Sequence, residues 1–241
     1  MPRYNRIIFK GINSSKNYIL SKFLISAYAD FGIRDAFVSP GSRNTPLILA
    51  LSDQKKINIH NIIDERISGY IGLGLAKVKK NPVLIITTSG TAVSNLFPSI
   101  VEAYMSCTPM IVLTADRPKN LLNTGANQTI NQHSIFGHYS RFFVLPNTKD
   151  MNENKISAIV LDSYKNAMGF SLKNKGPVHI NIPFDLPLHI SNRHQITYKK
   201  HRFLIKDLKD STIQKKVIFP NLNNFSKLLI IATDIKDKNI I

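Results

Sequence analysis

The sequence predicts an α/β fold, a doubly wound parallel sheet with helices on both faces. Three observations predict it. Short runs rich in β-branched residues alternate with segments of helical periodicity up to about residue 188. The central runs, Val83–Thr88 and Met110–Thr114, are apolar without alternation, as in strands covered on both faces. Clusters of Ser, Gly, Asp, Asn and Thr follow four of the runs, as strand-end turns do.

The elements follow in order. Ser14 or Ser15 is placed to cap a first helix, whose Leu20, Phe23, Leu24, Ala27 and Phe31 recur at helical spacing, with Gly32 as the stop. Ala36–Ser39 reads as a strand, Pro46–Leu51 as a short helix and Ile57–Ile63 as a second strand. Glu65–Lys79 is a long helix, Val83–Thr88 a strand, Thr91–Met105 a helix and Met110–Thr114 a strand. Phe142–Leu145, Lys155–Phe170 and Val178–Ile182 complete the pattern as strand, helix and strand. These elements make one domain over residues 1–188. Residues 189–224 are polar and basic and read as a linker. Leu228–Ala232 reads as the first strand of a truncated second, central domain over 225–241.

Composition narrows the class. The 241 residues are 43% hydrophobic and 20% charged, as in a soluble globular protein. No apolar run is long enough to span a bilayer, and the start lacks a signal-peptide core. A single cysteine, Cys107, leaves no internal disulfide, so a cytoplasmic protein is the default. The net charge of +17 invites a nucleic-acid partner, but the basic residues are spread. Residues 1–192 carry 21 basic and 11 acidic side chains, and the remainder 11 and 4. No nucleic-acid motif accompanies them, and the richness in Ile, Lys and Asn suggests A/T-biased codons instead.

Ligands of open parallel sheets bind outside the carboxyl ends of the strands. Four successive ends here are Ser39-Pro40-Gly41-Ser42-Arg43-Asn44, Asp64-Glu65-Arg66, Thr87-Thr88-Ser89-Gly90-Thr91 and Thr114-Ala115-Asp116-Arg117-Pro118. Each has a plain alternative. Glu65 is suited to a helix start, where the dipole favours an acid by about 0.3–1 kcal/mol. Ser89-Gly90-Thr91 fits a tight turn. Gly69, Gly72 and Gly74 cost about 1 kcal/mol each relative to Ala, so they mark close approach by a partner helix or a flat ligand. Arg43 and Arg117 are either surface arginines or forks aimed at carboxylates. His179, inside a strand, reads as a satisfied core histidine. Phosphate-loop and paired-cysteine metal signatures are absent.

Together SPGSRNTPL, IDERISGYIGLGLAK, TTSGTAVSNLFPSIVEA, LTADRP and TGANQTINQ resemble the 2-succinyl-5-enolpyruvyl-6-hydroxy-3-cyclohexene-1-carboxylate synthase family of menaquinone biosynthesis, over about residues 13–187. More distant thiamine-diphosphate enzymes usually carry SGPG and HE in place of TSGT and DER. The resemblance implies that Glu65 hydrogen-bonds a ring nitrogen of the thiamine diphosphate aminopyrimidine and so promotes loss of the thiazolium proton. It places Pro40, Ser89 and Gly90 along the pyrimidine pocket. It assigns Ser42, Arg43, Arg117, Asn127 and Gln128 to the anionic substrates 2-oxoglutarate and isochorismate.

The family holds the diphosphate and its Mg2+ in a carboxy-terminal domain with a Gly-Asp-Gly motif, and its sites form between subunits of a homo-oligomer. None of the eleven glycines here is followed by Asp. The expectation is therefore half of a transferase site, inactive alone, with no metal ligands, no nucleic-acid partner and no membrane span. The alternative is a non-catalytic remnant or partner module of a related thiamine-diphosphate enzyme.

Overall fold

The computed structural model describes residues 13–170 and 174–190. Six strands form one sheet: β1 (Asp35–Val38), β2 (Asn58–Asn61), β3 (Val83–Thr87), β4 (Met110–Asp116), β5 (Phe143–Val144) and β6 (Pro177–Pro183). Every pairing is parallel, in the order β2-β1-β3-β4-β6-β5. The α-helices are α1 (Asn13–Asp30), α2 (Thr45–Ser52), α3 (Glu65–Lys79), α4 (Thr91–Ser94), α5 (Phe97–Met105) and α6 (Glu153–Ala167).

Side-chain alternation divides the core into two layers. Ala36, Val38, Leu84, Ile86, Ile111, Leu113, Val178 and Ile180 pack with α1, α2 and α6. Phe37, Val83, Ile85, Met110 and Val112 pack on the opposite face with Leu73 and Ala76 of α3, Val93 of α4 and Ile100 and Ala103 of α5. Helices therefore cover both faces, and the central strands read as unbroken apolar runs for that reason. The α1 residues Leu20, Phe23, Leu24, Ala27 and Phe31 are all buried.

The structure revises several expected boundaries. The helix expected over Thr91–Met105 is two helices, with a turn at residues 95–96. Pro98 lies in the first turn of α5; it has no N–H to give the Ser94 carbonyl, and its ring crowds that position. Helix α1 already runs at Asn13, so Ser14 and Ser15 lie within it rather than at its cap. β4 extends to Asp116, which brings an ionisable group into the sheet edge. Glu153 rather than Lys155 begins α6, because the Asn152 side chain caps it by accepting from Lys155 N. The linker expected over 189–224, beyond residue 190, and the strand expected in 225–241 lie outside the described residues.

The chain runs from β1 outward to β2, then returns to place β3 on the other side of β1. The topological switch point thus lies between β1 and β3, and a crevice outside their carboxyl ends is where such sheets take ligands.

Candidate active-site crevice

Two loops flank the switch point. The loop after β1 is closed by Asn44, whose side-chain Nδ2 donates to Ser39 O at 2.9 Å while its Oδ1 accepts from Gly41 N at 3.0 Å. Gly41 lies against the loop after β3: a Cβ there would meet the Thr88 side chain at 2.5 Å. Gly90, in that second loop, has φ +83°, and a Cβ on it would meet Gln128 Cγ at 2.8 Å. Both glycines are therefore required for the loops to approach. The Ser39 Oγ and Thr88 Oγ1 atoms, at this edge, are buried without a hydrogen-bond partner among the described residues.

Glu65 opens α3 directly after β2, beside β1. The capping of α3 falls to Asp64, whose carboxylate accepts from Arg66 N at 2.8 Å and Ile67 N at 3.3 Å. Glu65 instead accepts from Asn95 Nδ2 at 3.0 Å through Oε2, which leaves Oε1 unpartnered among the described residues. Asn95 belongs to the turn that Pro98 forces between α4 and α5, so the broken helix supplies the group that orients this carboxylate.

A second cluster forms where β4 and β6 end. Arg43 is buried, and its Nη1 donates to Phe184 O at 2.8 Å. Burial lowers the Arg43 pKa from its ordinary value, and the neighbouring Arg117 lowers it further, opposed by Asp185 and Asp116. Burial raises the Asp116 carboxyl above the usual range, opposed by the Asn181 hydrogen bond, the Arg117 N–H and the two arginine charges. The Arg117 Nε is buried and unpartnered among the described residues. A cleft of about 640 Å3 opens beside it, lined in part by Pro118, Lys119, Pro183 and Asp185.

The motif residues thus occupy one edge of the sheet. Pro40 and Ser42 are exposed in the first loop, and Ser89 is buried in the second. Asn127 and Gln128 project from an exposed loop that touches Ser89 through its Oγ, which donates to Gln128 O at 3.0 Å. Sequence reading missed Asn95, Gln132 and Asn181. His179 is less satisfied than expected: Nε2 meets Thr114 Oγ1 at 2.7 Å, but Nδ1 has no partner among the described residues. The glycines of α3 also differ from one another. Gly69 and Gly72 are approached by Ser99 and Ile85 of the same chain, whereas nothing described lies within 4 Å of a Cβ at Gly74. Among the described residues no group of three or more His, Cys, Asp and Glu side chains is arranged to hold a metal ion. No helix there is long and apolar enough to cross a membrane.

Residues 20–135 match the family described as thiamine pyrophosphate enzyme, N-terminal TPP binding domain. The matched span contains both switch-point loops, Glu65 and Arg117. Within that class, the chain is similar to proteins named 2-succinyl-5-enolpyruvyl-6-hydroxy-3-cyclohexene-1-carboxylate synthase. It is 43% identical to the one from Bacillus velezensis over 176 residues, 73% of this chain and 30% of the relative. It is 39% identical to that of Prochlorococcus marinus over 222 residues, 89% of this chain and 37% of the relative. For Shewanella loihica the values are 43% over 174 residues, 72% and 30%. The chain therefore spans about a third of the length of the curated relatives it matches.

Proposed function

We propose that this chain supplies the pyrimidine-binding half of a thiamine-diphosphate-dependent synthase. The enzyme would decarboxylate 2-oxoglutarate and add the resulting carbon nucleophile to isochorismate, in menaquinone biosynthesis. The observation that carries this reading is Glu65. Its carboxylate stands at the carboxyl end of the sheet, is relieved of helix capping by Asp64, is oriented by Asn95 and keeps Oε1 available. That is the arrangement for sharing a proton with a heterocyclic nitrogen. The donor set fits the cofactor, because the crevice offers buried hydroxyls at Ser39 and Thr88, unpaired among the described residues, and the glycines allow close backbone approach. When bound, thiamine diphosphate supplies the electron sink that makes decarboxylation of a 2-oxo acid feasible.

In this reading Pro40, Ser89 and Gly90 line the pyrimidine pocket. Ser42, Arg43, Arg117, Asn127 and Gln128 hold and orient the anionic substrates. Arg43 is a support more than a clamp, since Nη1 is engaged by Phe184 O. Arg117, whose Nε is unpaired among the described residues, is the better carboxylate ligand. The diphosphate and Mg2+ belong to another domain of a cytoplasmic homo-oligomer. Its natural seat is the outer face of α3 and its approach, where Ile63 is 88%, Ile67 52%, Tyr70 48% and Val78 80% exposed.

The test is turnover of the complete enzyme with 2-oxoglutarate, isochorismate, cofactor and Mg2+. Product is expected, and Arg117→Ala should lower kcat/KM for the two acids by about tenfold to a few hundredfold, the worth of a charge-assisted hydrogen bond. A complete enzyme that forms no product overturns the reading.

A further inference from the structure

Between Arg117 and Ile135 the chain is a surface loop with a single 3-10 turn at Lys119–Leu121, and Gln132, 1% exposed, is its one buried residue. The Gln132 amide is fully engaged. Oε1 accepts from Gly90 N at 2.9 Å, and Nε2 donates to Ala115 O at 3.2 Å and to Asn181 Oδ1 at 2.8 Å. Gly90 N–H can only donate and Ala115 C=O can only accept, so the orientation of the amide is fixed. The turn between β3 and α4, the end of β4 and the body of β6 thus meet on one side chain.

The acceptor at Asn181 is itself fixed. Asn181 Nδ2 donates to Asp116 Oδ2 at 2.7 Å, and its Oδ1 also accepts the Thr114 hydroxyl proton at 2.7 Å. Thr114 has no second proton, so the neutral His179 ring donates to it from Nε2. The loop's other described polar tie to the crevice is Ser89 Oγ to Gln128 O.

We propose that Gln132 is a positioning residue: it anchors the 121–131 loop so that Asn127 and Gln128 are presented over the Ser89-Gly90 turn. Its effect on substrates rests on the synthase reading above. The anchored partner is the irregular loop, because the turn is held independently between β3 and α4. Losing Gln132 therefore loosens the loop and leaves the cofactor pocket in place.

Two measurements test this. In amide hydrogen exchange of the 241-residue chain, Gln132→Ala should speed exchange across 121–131 by about tenfold or more and leave β3 and β4 within about twofold. Unchanged exchange across 121–131 overturns the proposal, whatever the enzyme catalyses. In the complete enzyme, the same variant should raise the KM of the acids about tenfold while thiazolium C–H exchange stays within about twofold. Equal losses in both overturn it. Gln132→Glu adds a control against misfolding. Its carboxyl faces two acceptors, so it donates only when protonated; exchange across 121–131 should approach the parent's at low pH and that of Gln132→Ala at high pH. Exchange in Gln132→Glu that ignores pH counts against the proposal. An inert parent enzyme with a loosened loop in Gln132→Ala would remove the synthase reading and still support the anchor.

Discussion

Asp64 and Glu65 are adjacent acids with separate tasks: one satisfies helix N–H groups, and the other turns to Asn95. The sequence alone leaves Glu65 open to a helix-start reading; the structure gives that task to its neighbour. Such division is invisible in a motif, because it depends on which way each carboxylate points. The same holds for Gln132, whose partner Asn181 lies 49 positions away, and for Asn95, 30 positions from Glu65. His179 illustrates the energetic side. Burial lowers its pKa from 6.5 to about 3, so the folded chain resists a proton that the unfolded chain accepts. The unfolded state then binds more protons below pH 6.5, and stability falls as pH falls, by up to about 1.4 kcal/mol per unit down to pH 3. His179→Gln keeps a donor towards Thr114 but does not titrate. The urea midpoint of the variant should fall less between pH 7.5 and 5.5 than that of the parent; equal falls would assign the acid sensitivity to other groups.

At the scale of elements, the parallel sheet with helices on both faces follows from patterning that the sequence displays openly. The β3 and β4 runs are apolar on both faces, and both faces are covered. What patterning hid was a break. The segment Thr91–Met105 keeps its periodicity, yet Pro98 divides it and creates the turn that carries Asn95. The glycines of α3 were legible as a sign of close approach, but not as two different cases. Gly69 and Gly72 serve contacts within the chain, while Gly74, on the exposed apolar side, meets nothing among the described residues. Gly74→Ala should therefore stabilise the isolated chain by up to about 1 kcal/mol, through helix propensity alone. If the diphosphate-binding domain covers this face, the same change should weaken assembly in the complete enzyme. Urea unfolding and sedimentation would read the two effects, and a destabilised chain would contradict the open-space assignment.

At the scale of the molecule, a switch point between β1 and β3 gathers residues from Pro40 to Arg117 along one sheet edge. That gathering was legible, because strand ends in a parallel sheet share an edge by construction. The buried ties that hold it were not, since they join residues far apart in sequence. The central claim is that Glu65 activates the cofactor rather than merely opening a helix. Hydrogen–deuterium exchange at the thiazolium carbon, in the complete enzyme with no substrate present, tests it most directly. Glu65→Gln preserves shape and the contact with Asn95 through its carbonyl oxygen, but removes the carboxylate. Exchange should slow by about 100-fold or more, within the usual contribution of a positioned acid–base group. Exchange as fast as in the parent would make Glu65 a helix-start residue and contradict the account.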